Sequence, residues 1–289
     1  MCLPPARFPV LKTRIADIVA ANFGRGNSEI DLNLRGRRAL ITGSSKGIGL
    51  AIARSLAAEG VHVHLVARTQ SELDKVTAEI RKDYGVEAKG HSADLSSSAA
   101  IKPLAAAVGD VDILVNSAGA IPRGTLLDID EERWRKAWDL KLFGAINLTR
   151  EVYGPMCKRG KGVIINIAGL AGERPDAYYI AGSCANAAII MFSRSLGGDS
   201  VRYGVRVIAV NPGPVETEKH INDTKRLAKE KFGDESRWPE LQAKFPAKRA
   251  GSVDEVANAI VFLASGRASY ISGASIKIDG GLSVSKRTG

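Results

Sequence analysis

The sequence has few cysteines and no apolar run long enough to cross a membrane. The three cysteines, Cys2, Cys157 and Cys184, form no CxxC pair and no paired framework, which predicts a protein of a reducing compartment, the cytoplasm. Because a membrane helix needs about 20 consecutive apolar residues, no membrane partner is expected. The four histidines belong to no cluster with metal-ligand spacing, so no metal site is predicted.

The sequence also has fewer acidic than basic residues. The chain has 31 of them against 41 Lys and Arg, which gives a formal net charge of +10. Such a balance raises the question of anionic partners, but no nucleic-acid recognition motif accompanies the charge, so nucleic acid is not predicted. A phosphorylated cofactor would use a few of these cations. With 45% hydrophobic residues over 289 positions, the chain can bury one large core.

From Asp31 onwards, apolar strand patterns alternate with amphipathic helix patterns. The strand patterns are "RRALITG", "VHVHLVAR", "VEAKGHSADL", "VDILVNSAG", "GVIINIAG", "VRVIAVNPG" and "ASIKIDGG". The longest helix pattern, "DEERWRKAWDLKLFGAINLTREVYGPM", is expected to form one continuous helix. Because buried strands that alternate with helices form parallel sheets, we predict an α/β fold with one doubly wound parallel sheet and helices on both faces.

Residues 1–30 are predicted to be an N-terminal extension. They contain early prolines and a short amphipathic stretch, and they lack the continuous apolar core and cleavage site of a secretory signal. Because they are basic and poor in acidic residues, an organelle-targeting segment is the less favoured alternative. No internal repeat follows, and no linker follows residue 36. Residues 31–289 are therefore predicted to form one domain.

The string "TGSSKGIG", Thr42 to Gly49, lies between the first strand pattern and the first helix pattern. Glycines in such a place let the backbone turn sharply and approach a pyrophosphate. The N-terminus of the next helix supplies free N–H groups and the positive end of its dipole. The string therefore predicts a dinucleotide site on a Rossmann-type sheet.

The residue after the second strand indicates which dinucleotide is bound. An NAD-binding protein usually has Asp or Glu there for the ribose diol, whereas this chain has Arg68. A guanidinium can form a charge-assisted hydrogen bond to a 2′-phosphate, and Lys46 in the glycine-rich string adds a second cation. Both could also be ordinary surface charges. Their joint position predicts NADP(H) in preference to NAD(H).

Four motifs, in order, resemble the short-chain dehydrogenase/reductase family from about Asp31 to Leu282. They are "TGSSKGIG", "NSAG", "NPGPVET" and "FLASGRASYISGASIKIDGG". The resemblance implies that residues 31–289 are a dinucleotide-binding catalytic domain with a substrate lid at about 216–250. Besides Lys46 and Arg68, the residues that it implies for the pyrophosphate, adenine, ribose and nicotinamide are Gly43, Ser45, Gly47, Ile48, Gly49, Asp94, Leu95, Asn116, Ala118, Gly119, Pro212, Gly213, Val215 and Thr217.

The positions that match the catalytic residues of the family are changed. The family normally has a Ser, a Tyr, a Lys four residues after the Tyr, and an Asn on the preceding long helix. Alignment of "NAAIIMFSRSL" with the usual helix pattern places Gly182 at the Tyr position and Asn186 at the Lys position. The Ser position falls on Gly169 and the Asn position on Lys141. Lys and Asn are therefore expected to have exchanged places.

This exchange suggests a relocated acid–base group. Tyr178, Gly182 and Asn186 are spaced by four and share a helix face if the helix extends back that far. The glycines are expected to open space near the nicotinamide, into which Tyr178 could lean. We therefore predict Lys141, Tyr178 and Asn186 as catalytic residues, with Tyr179 as the second choice of phenol. The alternative is that Lys141 is a solvated or interface residue and that both tyrosines are packed aromatics.

The predicted function is that of an NADP(H)-dependent oxidoreductase acting on a small alcohol or carbonyl substrate. Hydride transfer belongs to the cofactor, and the protein supplies or removes a proton. One alternative is an inactive nucleotide-binding or redox-sensing relative. Proton abstraction beside a carbonyl is a third hypothesis without a specific sequence signal. By the resemblance, the protein is expected to form a homo-oligomer, and Trp134 and Trp138 are expected in the core or at the subunit contact.

Overall fold

The computed structural model describes residues 31–285. Seven parallel strands form one sheet in the order β3-β2-β1-β4-β5-β6-β7. The strands are β1 (Arg38–Thr42), β2 (His62–Ala67), β3 (Ala88–Ser92), β4 (Ile113–Asn116), β5 (Gly162–Ile167), β6 (Val205–Pro212) and β7 (Ser275–Ile278). The predicted α/β fold with a doubly wound parallel sheet is confirmed. Residues 1–30, predicted as an extension, lie outside the described residues.

Eight α-helices occur among the described residues. They are α1 (Gly47–Ala58), α2 (Gln70–Tyr84), α3 (Ser98–Val108), α4 (Glu131–Trp138), α5 (Gly144–Arg159), α6 (Ile180–Ser200), α7 (Glu218–Phe232) and α8 (Val253–Ala264). Two of them, α3 and α8, have no counterpart in the sequence prediction. Helix α3 contains Pro103, which obscures its pattern. Helix α8 opens with a capping box of Ser252 and Glu255, a signal that could have revealed it.

The central strands of the sheet are buried because helices cover both faces. Helix α1 packs against α8, and α3 packs against α5. Every residue of β6 is buried, as expected for a parallel strand between two helical layers. The predicted long helix runs without a break from Glu131 to Arg159 and contains a π-helical turn, Asp139–Phe143, between α4 and α5. Such turns change the direction in which side chains leave a helix, and they are frequent at functional sites.

Two histidines on neighbouring strands form a pair, in which His64 is buried and His91 is half-buried. His64 Nδ1 lies 2.9 Å from His91 Nε2, and the two rings stack with their centroids 5.1 Å apart. Burial, followed by the charge of His91, lowers the pKa of His64 from 6.5 to about 4. The pair is therefore neutral in the folded protein at a pH where the unfolded chain already binds protons.

We expect this pair to make the fold sensitive to acid. The stability that the neutral pair contributes is complete above pH 6.5 and is lost as the pH falls towards 4. In urea unfolding followed by circular dichroism, His64→Gln should show a weaker fall in the free energy of unfolding across this range than the wild type. His62→Gln, on the same strand, is the control and should keep the wild-type slope. Equal slopes in all three proteins would contradict this assignment.

Candidate functional site

A cavity of about 1520 Å³ opens where the strands of the sheet end. Its wall contains the loop after β1, the residue after β2 and the segments that follow β4, β5 and β6. Ligands of open parallel sheets bind at this edge, outside the carboxyl ends of the strands. The first residues of α7, within the predicted lid, complete the wall.

The glycine-rich loop fits a closely approaching phosphate group. A Cβ atom on Gly43 would lie 2.8 Å from Ala118 Cα, and one on Gly49 would lie 2.3 Å from the Gly43 carbonyl oxygen. A side chain at either position would therefore clash with the backbone and force the loop out of this conformation. Lys46, the residue before α1, makes no side-chain hydrogen bond to the helix N-terminus. The first N–H groups of α1 consequently remain available to an anion such as a pyrophosphate.

Most of the predicted cofactor-binding residues lie together on this wall. They come from the loop after β1, from the ends of β2 and β4, and from the segments after β3 and β6. These residues are Gly43, Ser45, Lys46, Gly47, Ile48, Gly49, Arg68, Leu95, Ala118, Gly119, Pro212, Gly213 and Thr217.

Three predicted cofactor residues, Asp94, Asn116 and Val215, lie outside the cavity wall. The Asn116 amide donates to Asn166 Oδ1 at 2.8 Å and to Thr149 Oγ1 at 3.0 Å, so its side chain belongs to a buried polar network. The Asp94 carboxylate accepts two hydrogen bonds from Ser96. Val215 is buried and pairs through its backbone with Gly251. Asn116 and Val215 are thus buried behind the wall, whereas Asp94 is exposed.

The cations predicted for a 2′-phosphate, Lys46 and Arg68, both reach the cavity. Neither forms an ion pair with a carboxylate of residues 31–285. The Arg68 carbonyl accepts a hydrogen bond from Ser92 Oγ at 2.8 Å, which fixes its backbone beside β3. Lys46 therefore offers an unpaired charge to a ligand, and so does Arg68, although its charge also acts on the Asp94 carboxylate.

Lys141 lies in the π-helical turn and is buried in the cavity wall. Its Nζ donates to the carbonyl oxygens of Ile167 and Ala168, each at 3.1 Å. The lysine stem packs on Gly119, where a Cβ atom would lie 3.0 Å from Lys141 Cδ. Burial lowers the pKa of the ammonium group from 10.5 to about 8. A protonated amine carries a third N–H group, which these two carbonyls do not engage.

The expectation that Gly169 and Gly182 open space in the site is wrong. A Cβ atom on Gly169 would lie 2.9 Å from Asn186 Nδ2, and one on Gly182 would lie 2.1 Å from two ring carbons of Tyr179. The missing side chains are thus replaced in space by neighbours. An amide occupies the region of the usual Ser position, and a phenol ring covers the usual Tyr position.

Tyr179, and not Tyr178, is the tyrosine that reaches Gly182. Helix α6 begins at Ile180, so Tyr178 lies before the helix and shares no helix face with Gly182 and Asn186. The Tyr178 carbonyl accepts from Gly124 N at 2.8 Å, and its side chain, although on the cavity rim, is 69% exposed. The prediction that Tyr178 leans into a gap is therefore wrong.

Tyr179 and Asn186 both line the cavity. Burial raises the pKa of the Tyr179 phenol, and the Arg123 guanidinium, which lies 5.5 Å from the ring centroid, opposes that rise. Asn186 is buried, and its Oδ1 has no hydrogen-bond partner among residues 31–285. An unpartnered amide oxygen of this kind can accept a hydrogen bond from a bound ligand.

Three further residues of the wall, Arg123, Arg174 and His220, are absent from the predicted site. Arg123 follows the "NSAG" motif by four residues and could have been found from that spacing. His220 lies in the first turn of α7, and burial lowers the pKa of its imidazole. Arg174 follows β5 in a loop without a sequence signal of its own. In the described part of the chain, no three His, Cys, Asp or Glu residues are grouped as metal ligands.

Comparisons with known proteins agree with this geometry. Residues 43–283 match the family model described as enoyl-(acyl carrier protein) reductase. The chain is 34% identical over 258 residues to 3-oxoacyl-[acyl-carrier-protein] reductase FabG of Vibrio cholerae, covering 87% of this chain and 99% of that protein. It is 31% identical to 2,3-dihydro-2,3-dihydroxybenzoate dehydrogenase of Bacillus subtilis, over 86% of this chain and 96% of that one.

Solved structures give the same result. The L-sorbose reductase of Gluconobacter frateurii, complexed with NADPH and L-sorbose, has a TM-score of 0.83 at 34% identity, covering 89% of this chain and all (100%) of that one. An NAD⁺-bound xylitol dehydrogenase has a TM-score of 0.79 at 26% identity, covering 86% and 100%.

Taken with these relatives, the sheet, the glycine-rich loop and the cavity at the strand ends define an oxidoreductase that uses a nicotinamide nucleotide. The chain belongs to the short-chain dehydrogenase/reductase family. The resemblance found in the four sequence motifs is thereby confirmed.

Proposed function

We propose that the protein is an NADP(H)-dependent oxidoreductase that interconverts an alcohol and a carbonyl group with a relocated acid–base group. One observation carries the proposal. The cavity wall presents an amine from Lys141, a phenol from Tyr179 and an amide from Asn186. These are three of the functional groups that the family normally uses, although each comes from a different backbone position.

Lys141 is the acid–base group in this proposal. General acid–base catalysis is most efficient when the pKa of the group lies near the working pH, and the pKa of Lys141 is about 8. Two carbonyl groups hold the amine in place and leave one N–H group for a substrate oxygen. The phenol of Tyr179, whose pKa is raised, keeps its proton and donates a hydrogen bond to the same oxygen. Asn186 accepts a hydrogen bond from the ligand.

The glycine-rich loop fits the pyrophosphate of the cofactor, because Cβ atoms on Gly43 and Gly49 would fill the space for close approach. When bound, the nicotinamide nucleotide supplies the hydride. The chain itself orients the substrate oxygen, excludes water from the amine and moves one proton.

We expect Arg68→Ala to weaken NADPH binding about tenfold, since it removes a charge-assisted hydrogen bond to the 2′-phosphate. NADH binding should stay unchanged. The measurement is a titration followed by nicotinamide fluorescence. Arg54→Ala serves as a control for net charge, because Arg54 forms an ion pair with Glu79 at 2.7 Å outside the cavity wall. Equal weakening of NADPH and NADH would remove the argument for NADP(H).

A carbonyl panel tests turnover. The relatives are named for 3-oxoacyl thioesters of a carrier protein and for L-sorbose, so the panel contains a 3-oxoacyl thioester, ketoses and simple ketones. NADPH oxidation that depends on one of these compounds supports the proposal.

The second candidate is a non-enzymatic nucleotide-binding or redox-sensing relative. It is favoured by the replacement of all four usual catalytic positions, at Lys141, Gly169, Gly182 and Asn186. NADPH binding without turnover of any panel compound would support this candidate over the first.

We also propose a cytoplasmic homo-oligomer. Cys157 and Cys184 are free thiols, which suits a reducing compartment, and no helix in the described part of the chain has the length and apolarity to cross a membrane. Phe143 and Met191 are apolar side chains with 48% and 58% exposure, and a subunit contact would cover them. Light scattering coupled to gel filtration measures the assembly.

A further inference from the structure

Arg174 is a half-buried cation in the part of the cavity wall that follows β5. Its Nη1 donates to the Leu282 carbonyl oxygen at 2.6 Å, and its backbone N–H donates to the Leu170 carbonyl oxygen at 2.9 Å. The guanidinium has five N–H donors, so this anchor leaves most of them for another partner. No carboxylate of residues 31–285 forms an ion pair with it.

The neighbouring charges do not neutralise Arg174, because most of them are paired with each other. Arg123 binds Asp176 at 2.8 Å, and Lys219 binds Asp223 at 2.9 Å. One further carboxylate of this part of the wall, that of Glu218, lies on the exposed first turn of α7.

Lys141 and Arg174 both line the cavity. Their part of the wall consequently carries more positive than negative charge. The ordinary alternative is that Arg174 only ties the chain near Leu282 to the loop after β5. That role needs one N–H group, which a neutral amide side chain could also supply. A partly desolvated charge without a counterion carries a cost that an anionic ligand would offset. The guanidinium fork also matches carboxylate and phosphate oxygens in two-point hydrogen bonds.

We propose that the substrate is a carbonyl compound that carries a carboxylate or phosphate group, and that Arg174 binds this group. The inference rests on the proposed function and adds the chemical class of the substrate. It places the anionic group on the loop after β5 and the reacting oxygen at Lys141 and Tyr179.

Calorimetric binding to the NADPH-saturated protein tests this assignment. The probes are hexanoate, its neutral counterpart hexanamide, and inorganic phosphate. We expect hexanoate or phosphate to bind the wild type at least tenfold more tightly than hexanamide, and Arg174→Gln to remove the difference. Glutamine keeps a donor for the Leu282 carbonyl. Arg194→Gln, which removes an exposed arginine outside the cavity wall, is the control for net charge and should retain the preference.

A pair of ketones extends the test to turnover and separates the two sources of negative charge. We expect Arg174→Gln to raise KM at least tenfold for the keto acid levulinate and to leave KM unchanged for methyl levulinate, its neutral ester. Dihydroxyacetone phosphate and dihydroxyacetone form the corresponding phosphate pair. The pair in which Arg174→Gln raises the KM of the charged ketone more shows whether Arg174 binds a carboxylate or a phosphate.

Several results would overturn the assignment of Arg174. They are equal binding of hexanoate, phosphate and hexanamide to the wild type, a preference that survives in Arg174→Gln, and no binding of any probe. Equal binding of the three probes by the wild type would overturn the assignment even if Arg174→Gln does not fold. Loss of NADPH binding is a different result, since it counts against the proposed function and is measured separately by fluorescence.

Discussion

Lys141→Met is expected to lower kcat for carbonyl reduction about a thousandfold, within the range that a positioned general acid contributes. Methionine fills a similar space and has no N–H group to give to the substrate oxygen. The NADPH Kd should stay close to the wild-type value, because the glycine-rich loop and Arg68 are untouched. Stopped-flow single turnovers with saturating NADPH measure the chemical step directly.

The control for this variant is Lys136→Met, which removes an exposed lysine from α4. It should keep the wild-type rate. A melting curve for each protein separates loss of catalysis from loss of folding. Full activity in Lys141→Met would show that the amine is only structural.

The pH dependence of the reduction rate is a second test of Lys141. Because reduction needs the protonated amine and the pKa of Lys141 is lowered to about 8, the wild-type rate should be level below pH 8 and fall above it. Lys141→Arg holds its proton to higher pH, so any activity that it retains should not show this fall. A wild-type rate that stays level up to the ordinary lysine pKa of 10.5 would exclude Lys141 as the acid.

Tyr179→Phe is expected to lower kcat about a hundredfold, the loss usual for removing one preorganised hydrogen-bond donor. The phenylalanine ring still covers Gly182, so packing is preserved. Tyr178→Phe is the matched control and should keep the rate within about twofold, because the Tyr178 side chain is largely exposed. Equal losses in the two variants would place the phenol outside the chemistry.

The sheet and the glycine-rich loop could be predicted because their signals are local. Apolar strand patterns, the string from Thr42 to Gly49, and Arg68 after β2 each depend on neighbours in sequence. Most of the residues predicted for the cofactor therefore line one cavity. Asn116, which does not, is the last residue of β4, where consecutive side chains point to opposite sides of the sheet. Asn116 turns into the polar network beneath the wall.

The catalytic wall could not be predicted in the same way, because it depends on the direction of side chains between elements. Spacing by four favoured Tyr178, but the helix begins only at Ile180. Spacing also cannot show that the ring of Tyr179 folds back over Gly182. Lys141 is buried in a π-helical turn, and no residue pattern of this chain indicates such a turn.

The contact between Tyr179 and Gly182 also restricts the mutational routes open to this protein. Gly182→Tyr alone would place its Cβ atom 2.1 Å from the Tyr179 ring, and Gly169→Ser alone would place its Cβ atom 2.9 Å from the Asn186 amide. Each of these substitutions therefore requires the neighbouring side chain to move, and Gly169, with a φ of 154°, has a backbone conformation that other residues rarely adopt. An attempt to rebuild the usual family site in this chain therefore has to displace Tyr179 and Asn186, two of the groups on which the proposed function depends.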